Sequence, residues 1–423
     1  MLHKANINLR KVAAMFGVPL IPLGGGSGSK MDLWDGKKVV YSNTGVAWWD
    51  KLTSIIRYGL FSPSRQATAV AQFGERLAKA YDPSFLAERG TVDSIEEFAN
   101  SLQLGDEYTG RSAYDWGTQV AGISSRWANE MWDMMTRSNF GADVTEVHTN
   151  AAMAGASLSE GGLYVPGGNN QLFQAMLASS GADVRLSTEV TDITAAPGGG
   201  YVVASTNSPG NDTYDEVFWG NPWHLSSVAK GLEFATPIPQ QEYVKLHVTY
   251  VATLAETPLP KYFKKGAKTV MAKTISTTGE RARTSGHGQG PSFQLITPML
   301  QGLPGGVFVN LLFSHEALSD AELRDIFGNS VGNAGSATAG WIHRKEWDAY
   351  PLLTPTTSFP PVEPRTGFHY LAAMEPWLST METQTVSARE AVARAVQRWW
   401  GLGLAQCSGS SSWDLACEPE PAL

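Results

Sequence analysis

Phe368-His369-Tyr370-Leu371-Ala372-Ala373-Met374-Glu375, followed at once by Ser379-Thr380-Met381-Glu382-Thr383, is the stretch on which the fold turns. The first run is apolar and reads as a short strand over 368–374. From Met381 the pattern becomes helical, with Ala388, Ala391, Val392, Ala395, Val396 and Trp399 on one face. Glu382 in the first turn and Arg394 and Arg398 near the end complement the helix dipole, and Gly401 is a stop signal. A strand that runs into a helix N-terminus gathers free backbone N–H groups and partial positive charge at one point. Such a point suits a phosphate, a flavin carbonyl oxygen or negative charge developing on a reduced flavin. Glu375, at the strand end, could accept a hydrogen bond from a ribityl hydroxyl. The alternative is an ordinary buried helix with a Glu in its first turn.

Upstream, Gly162-Leu163-Tyr164-Val165-Pro166-Gly167-Gly168-Asn169 leads into a helix over 171–179 that Gly181 ends. Val184, Leu186, Thr188 and Val190 alternate with polar residues and predict a strand. The turn 197–200 leads to a second strand, 201–206, and a third, 216–220, precedes Asn221-Pro222. Residues 46–140 read as mostly helical. They carry Trp48, Trp49, Phe61, Phe73, Trp116, Trp127, Met131, Trp132, Met134, Met135 and Phe140. These side chains predict a helical core, a wall for an apolar ligand channel, or both. Strand-like runs follow at 243–252, 292–297 and 306–313, and a segment rich in Pro and Thr, 351–365, separates them from the last strand and helix.

At the other end, Ile7, Val12, Ala13 and Phe16 share a helix face over 6–16. The run Gly24-Gly25-Gly26-Ser27-Gly28 invites a phosphate-loop reading, which needs a helix after it. The next element is instead a hairpin over 31–41 turning at Asp35-Gly36, so the run reads as a flexible loop. The tail after 403 is polar and is expected to be loose.

Composition narrows the function classes. The 423 residues are 43% hydrophobic and 17% charged, enough apolar content for a large core. A net charge of -8 without basic runs argues against nucleic acid as a partner. The cluster Lys261, Lys264, Lys265, Lys268 reads as a solvated loop face. No apolar run reaches the ~18 residues of a transmembrane segment, and the first ten residues lack a signal-peptide core. The histidines lie far apart, so no metal site is expected, and no Gly-x-Ser-x-Gly elbow occurs. Cys407 and Cys417 could form a disulfide or remain two thiols. Asn211 heads the single glycosylation sequon.

Taken together, the segments 162–169 and 184–206, Asp215-Glu216-Val217-Phe218 leading to Asn221-Pro222, and 368–375 with 379–382 resemble the prenylcysteine oxidase (prenylcysteine lyase) family. Leu2-His3-Lys4-Ala5-Asn6 and the residues 347–351 also resemble it. The resemblance implies an α/β fold of the glutathione-reductase and amine-oxidase type, with a helical and β-sheet (α+β) substrate domain. Its implied parts are 1–45 as a remnant after the flavin motif, 46–140 helical, 141–230 FAD-domain, 231–360 substrate sheet, 361–403 FAD-domain strand and helix, and 404–423 tail. It implies FAD, molecular oxygen and a farnesyl- or geranylgeranyl-cysteine substrate. Carried onto this sequence, the cofactor contacts would be Val190 by its backbone on the adenine side, Glu375 at the ribityl chain, and Met381, Glu382 and Thr383 near the flavin. A hydride would leave the carbon beside sulfur, water would add, and the hemithioacetal would fall apart to prenyl aldehyde and cysteine, with hydrogen peroxide formed from oxygen. Such chemistry needs orientation and a dry channel more than acid–base groups, so no catalytic residue is assigned. A lysosome-like, vacuolar or secretory location is implied as well.

One departure stands out. The family opens with a strand, a Gly-x-Gly-x-x-Gly turn and a helix that hold the pyrophosphate, and Met1 falls after all of them. The sequence therefore predicts an incomplete FAD-binding domain. A fragment or truncated chain is the leading reading. A non-catalytic remnant that binds a prenylated ligand and a different mode of flavin binding are the alternatives. A flavin oxidase of another thioether or an amine is a further one.

Overall fold

Phe368–Tyr370 is too short to stand alone, and it pairs in parallel with Val217–Trp219, Phe368 opposite Val217. The strand ends earlier than its apolar run suggests. Leu371–Met374 forms a 3-10 turn, and the helix Met381–Trp400 follows. The computed structural model describes residues 2–22, 30–157, 162–228, 232–285, 290–329, 331, 340–407 and 413–421. The glycine run 24–28 lies outside them, as do residue 161 and the side chain of Asn211.

Three bodies meet around this strand and helix. The first holds the parallel pair, a three-stranded meander of Val190–Ala195, Tyr201–Ser205 and Ser208–Tyr214, and the helices Ile7–Met15 and Asn170–Ser180. The second is helical, from Ala47–Tyr58 to Asp133–Phe140, with Thr149–Ser157 packed among them. The third is a seven-stranded mixed sheet built on Tyr243–Thr253, Leu295–Leu303 and Val307–Ser314. Its far edge is the hairpin Met31–Trp34 and Val39–Ser42, so residues expected in a flavin-domain remnant complete the third body instead. Thr149–Ser157 likewise leaves the expected flavin-domain segment for the helical body.

Trp377 joins the first body to the second. It is fully buried, its ring meets Phe98 edge-on at 5.3 Å, and its indole N–H donates to the Leu104 carbonyl at 3.2 Å. Within the helical body, Gln66 Oε1 accepts from the indoles of both Trp127 and Trp132, at 2.6 and 2.7 Å. The second and third bodies are joined by buried charge. Arg283 bonds Asp133 at 3.0 Å and also Asp143, while Arg137 bonds Asp143 and the Thr277 hydroxyl.

Several expectations are corrected. The predicted strand 184–190 enters a ladder only at Val190; just before it the Glu189 carbonyl accepts the Thr206 N–H at 2.9 Å, and the chain then turns away at Ser187. Val184 and Leu186 face solvent there, and Ser187 sits at φ 52°. The chain after 206 also differs: Ser208–Tyr214 completes the meander before Val217–Trp219 crosses to Phe368–Tyr370. The long helix is buried on more than its apolar face. Arg89 and Arg389 both bond Glu390, and Arg394 donates to the Val92 carbonyl. Trp399, placed on the apolar face by periodicity, is half exposed and bonds Glu216 instead.

The tail is not loose where it is described. Cys407 and Cys417 form a disulfide. Asp414 accepts from the backbone N–H groups of Ala405 and Ala416. Lys11 donates to the carbonyls of Leu415 and Ala416, and Arg10 pairs with Glu420 at 2.7 Å. Among the described residues no helix is long and apolar enough to cross a membrane.

Candidate functional site

The start of the long helix opens on a cavity of about 360 Å³, inside the usual size range of ligand sites. Residues 378–383 form one wall, and Ala5 and Asn6 lie beside them. The opposite wall is Phe73, Leu77 and Tyr81 from one helical stretch, with Ser138, Asn139 and Phe140 from another. Thr380 caps the helix. Its hydroxyl accepts the Thr383 N–H at 3.1 Å, and the Thr383 hydroxyl accepts the Thr380 N–H in return. This capping box occupies the third helical N–H and leaves those of Met381 and Glu382 at the cavity wall.

The Glu382 side chain turns away from that role. Its carboxylate accepts the Asn8 N–H at 2.7 Å and the Leu9 N–H at 3.2 Å. Asn6, the N-cap of Ile7–Met15, makes no side-chain cap, so Glu382 caps that helix from a distant part of the chain. Burial pushes the Glu382 carboxyl up to about 7, against the opposing pull of the two N–H groups. The Thr383 hydroxyl donates to the Leu378 carbonyl, so that side chain also serves the helix start.

Two polar atoms on the cavity wall lack such ties. The Ser138 Oγ is buried with no hydrogen-bond partner among the described residues, and the Tyr81 hydroxyl is buried beside the Glu382 carboxylate, outside close hydrogen-bond geometry. Burial, and next the Glu382 carboxylate, hold the Tyr81 phenol well above its ordinary value, so it stays a neutral donor. Buried polar atoms are normally paired, so these two hydroxyls are the unusual polar groups of a largely apolar wall. Sequence reasoning missed both residues. The only available signal was the polar pair Ser138-Asn139 beside Phe140 in an otherwise apolar stretch.

The other expected contacts are dispersed. Glu375 is not on this cavity; its carboxylate accepts the Tyr243 hydroxyl, and burial raises its pKa. Val190 lines a separate recess of about 450 Å³ with Trp219, Asn221, Pro222 and Leu225. Of the aromatic and Met residues expected to wall a channel, Phe73 and Phe140 reach the cavity. Trp116, Trp127, Met131 and Trp132 are core, and Met134 and Met135 pack against it. Trp48, Trp49 and Phe61 point to solvent. No group of three His, Cys, Asp or Glu side chains among the described residues could hold a metal ion.

The donors present fit the ring half of a flavin. Two helix N–H groups, a positive helix end and an apolar far wall suit a flat ring with carbonyl oxygens at one edge. The described residues contain no glycine-rich strand–turn–helix for a pyrophosphate.

Comparison with known proteins bears on the family and the fold. The family described as prenylcysteine lyase matches residues 41–404. A farnesylcysteine lyase of Arabidopsis thaliana is 24% identical, with 93% of this chain and 75% of that protein aligned. Among solved structures, a putrescine oxidase redesigned in its cofactor binding superposes with a TM-score of 0.51 at 10% identity, over 92% of this chain and 87% of the other. Cyclohexylamine oxidase from Brevibacterium oxydans gives 0.51 at 12% identity, over 93% and 87%. At such identities these two show a shared mixed α/β fold.

Proposed function

We propose that this chain, which belongs to the prenylcysteine lyase family, is an FAD-dependent oxidase that cleaves the thioether of a farnesyl- or geranylgeranyl-cysteine to prenyl aldehyde, cysteine and hydrogen peroxide. The observation that carries the reading is the cavity itself: an unpaired helix start on one wall and Phe73, Leu77 and Phe140 on the other. A bound flavin would supply the hydride acceptor and pass the electrons to oxygen.

The chain's own residues have four tasks in this reading. The N–H groups of Met381 and Glu382 would hold a flavin ring carbonyl and favour negative charge beside it. The Thr380–Thr383 capping box and the Glu382 cap on Ile7–Met15 keep that helix end rigid. Phe73, Leu77 and Phe140 bind the prenyl chain and exclude water from the reacting carbon. Ser138 and Tyr81, polar residues of the cavity wall, would hold the single water that the cleavage needs once a side-chain movement opens their buried hydroxyls. Glu375 and Val190 belong to the ribityl and adenine ends of the same cofactor in this reading. An oxidising, acidic compartment of the lysosome or vacuole fits the Cys407–Cys417 disulfide and the raised Glu382 carboxyl.

The test is turnover by purified protein supplied with FAD. Farnesylcysteine should give equal amounts of peroxide and farnesyl aldehyde. Peroxide from a simple amine, with none from farnesylcysteine, would overturn the substrate assignment.

A further inference from the structure

The helix Ala47–Tyr58 is mounted inside out. Its polar face points at the protein. Asp50 accepts the N–H groups of Thr44 and Gly45 at 2.7 and 2.9 Å. Arg57 makes a two-pronged bond to buried Glu130 at 2.7 and 2.6 Å, and the Tyr58 hydroxyl joins the same carboxylate at 2.8 Å. Its apolar face points to solvent. Trp48 is 68% exposed and Ile56 76%, with Trp49 and Leu52 on the same arc. Leu60 and Phe61, just past the helix end at Gly59, extend the patch and are more than half exposed.

A soluble helix normally places such a stripe on the core. With about 200 Å² per large side chain, these fractions leave on the order of 700 Å² of apolar surface in one place, above the ~300–600 Å² of an ordinary monomer's largest patch. The exposed charges beside it are mostly positive. Lys51 is exposed next to Trp48, Arg65 lies over the Phe61 ring at 5.6 Å, and exposed Arg126 reaches the Arg57 carbonyl. Of the acids of this region, Asp50 and Glu130 are taken up by the contacts above, and half-buried Glu280 lies between Glu130 and the arginines Arg283 and Arg126. Two Trp rings, aliphatic side chains and a cationic border are the pattern of a helix that lies in an anionic lipid interface.

We infer that Ala47–Tyr58 with Leu60 and Phe61 is a docking surface for an anionic lipid bilayer. The patch also leads to the cavity. Phe61 runs directly into the helix Ser62–Ala78, which carries Phe73 and Leu77 to the cavity wall, a span of about 17 Å at the rise of an α-helix. The inference does not depend on the proposed reaction. It adds that an apolar substrate chain is taken from the bilayer on which the protein sits.

Vesicle co-sedimentation without flavin or substrate tests it, so its failure is separate from failure of the oxidase reading. The protein should bind vesicles of phosphatidylserine with phosphatidylcholine, and bind pure phosphatidylcholine at least several-fold more weakly. The pair Trp48→Ser with Ile56→Ser should weaken binding at least tenfold with an unchanged far-ultraviolet spectrum and melting midpoint. Leu60→Ser with Phe61→Ser should act in the same direction. Absence of vesicle binding, or binding unchanged in both double variants, overturns the inference. So does a concentration-dependent dimer that both double variants dissociate, which would assign the patch to a second copy of the chain.

Discussion

Replacing Glu382 by Gln should remove a specific pH dependence of stability. Glu382 is buried on the helix start and caps Ile7–Met15 through the N–H groups of Asn8 and Leu9. Its carboxyl moves from an ordinary 4.5 to about 7 in the folded protein. The folded state therefore holds this proton more tightly than the unfolded chain. Stability from that preference is fully present below about pH 4.5 and is lost as pH rises through about 7. At about 1.4 kcal/mol per pH unit the gap corresponds to about 3 kcal/mol. Gln keeps an acceptor for one N–H and has no proton to lose. Urea unfolding of both proteins at about pH 4 and about pH 8 reads the effect, since other titrating groups cancel in the difference. The stability advantage of the parent over Glu382→Gln should shrink by about 3 kcal/mol between those conditions. A difference that stays constant within ~0.5 kcal/mol would refute the burial argument.

Other parts of the structure make separate predictions. Arg57→Ala leaves the Glu130 carboxylate buried with only the Tyr58 hydroxyl, and should cost about 2–4 kcal/mol in chemical unfolding, with Arg57→Lys recovering part of it. Tyr81→Phe removes a hydroxyl that lies beside the Glu382 carboxylate without a close hydrogen bond, so unfolding should change by less than ~1 kcal/mol. The same variant should slow prenyl aldehyde formation about tenfold or more with flavin content unchanged, measured in single-turnover mixing. Reducing the Cys407–Cys417 bond, which joins residues 10 apart, should destabilise the docked tail by up to about 3 kcal/mol. Limited proteolysis should then cut within the tail before the rest of the chain.

The parts of the fold that could be read from sequence are those set by local chemistry. Met381–Trp400 carries its own period, its Thr380 cap and its Gly401 stop, and the start at Met381 is where the structure places it. Asn170–Ser180 ends on Gly181 at φ 68°, and the 31–41 hairpin turns at Gly36 at φ 88°, for the same reason. What escaped was decided at long range. Glu382 in a first turn reads as serving its own helix, and only packing reveals that it caps Ile7–Met15. The period of Ala47–Tyr58 shows two faces, but the buried carboxylate of Glu130 decides that the polar one faces inward. An alternating run such as 184–190 forms a strand only where its backbone lies along a neighbour, and the ladder begins at Val190, past the turn at Ser187. The cavity followed the same rule. Its helix wall was legible, whereas Tyr81 and Ser138 on the facing wall come from segments whose approach no local pattern encodes.

The central claim is that the start of Met381–Trp400 holds a flavin ring against a prenyl thioether. Anaerobic mixing of the FAD-supplemented protein with farnesylcysteine measures it most directly. The account predicts that the flavin absorbance bleaches and that one prenyl aldehyde appears per flavin reduced. A flavin that binds and stays oxidised with farnesylcysteine, or a protein that binds no FAD, would contradict it.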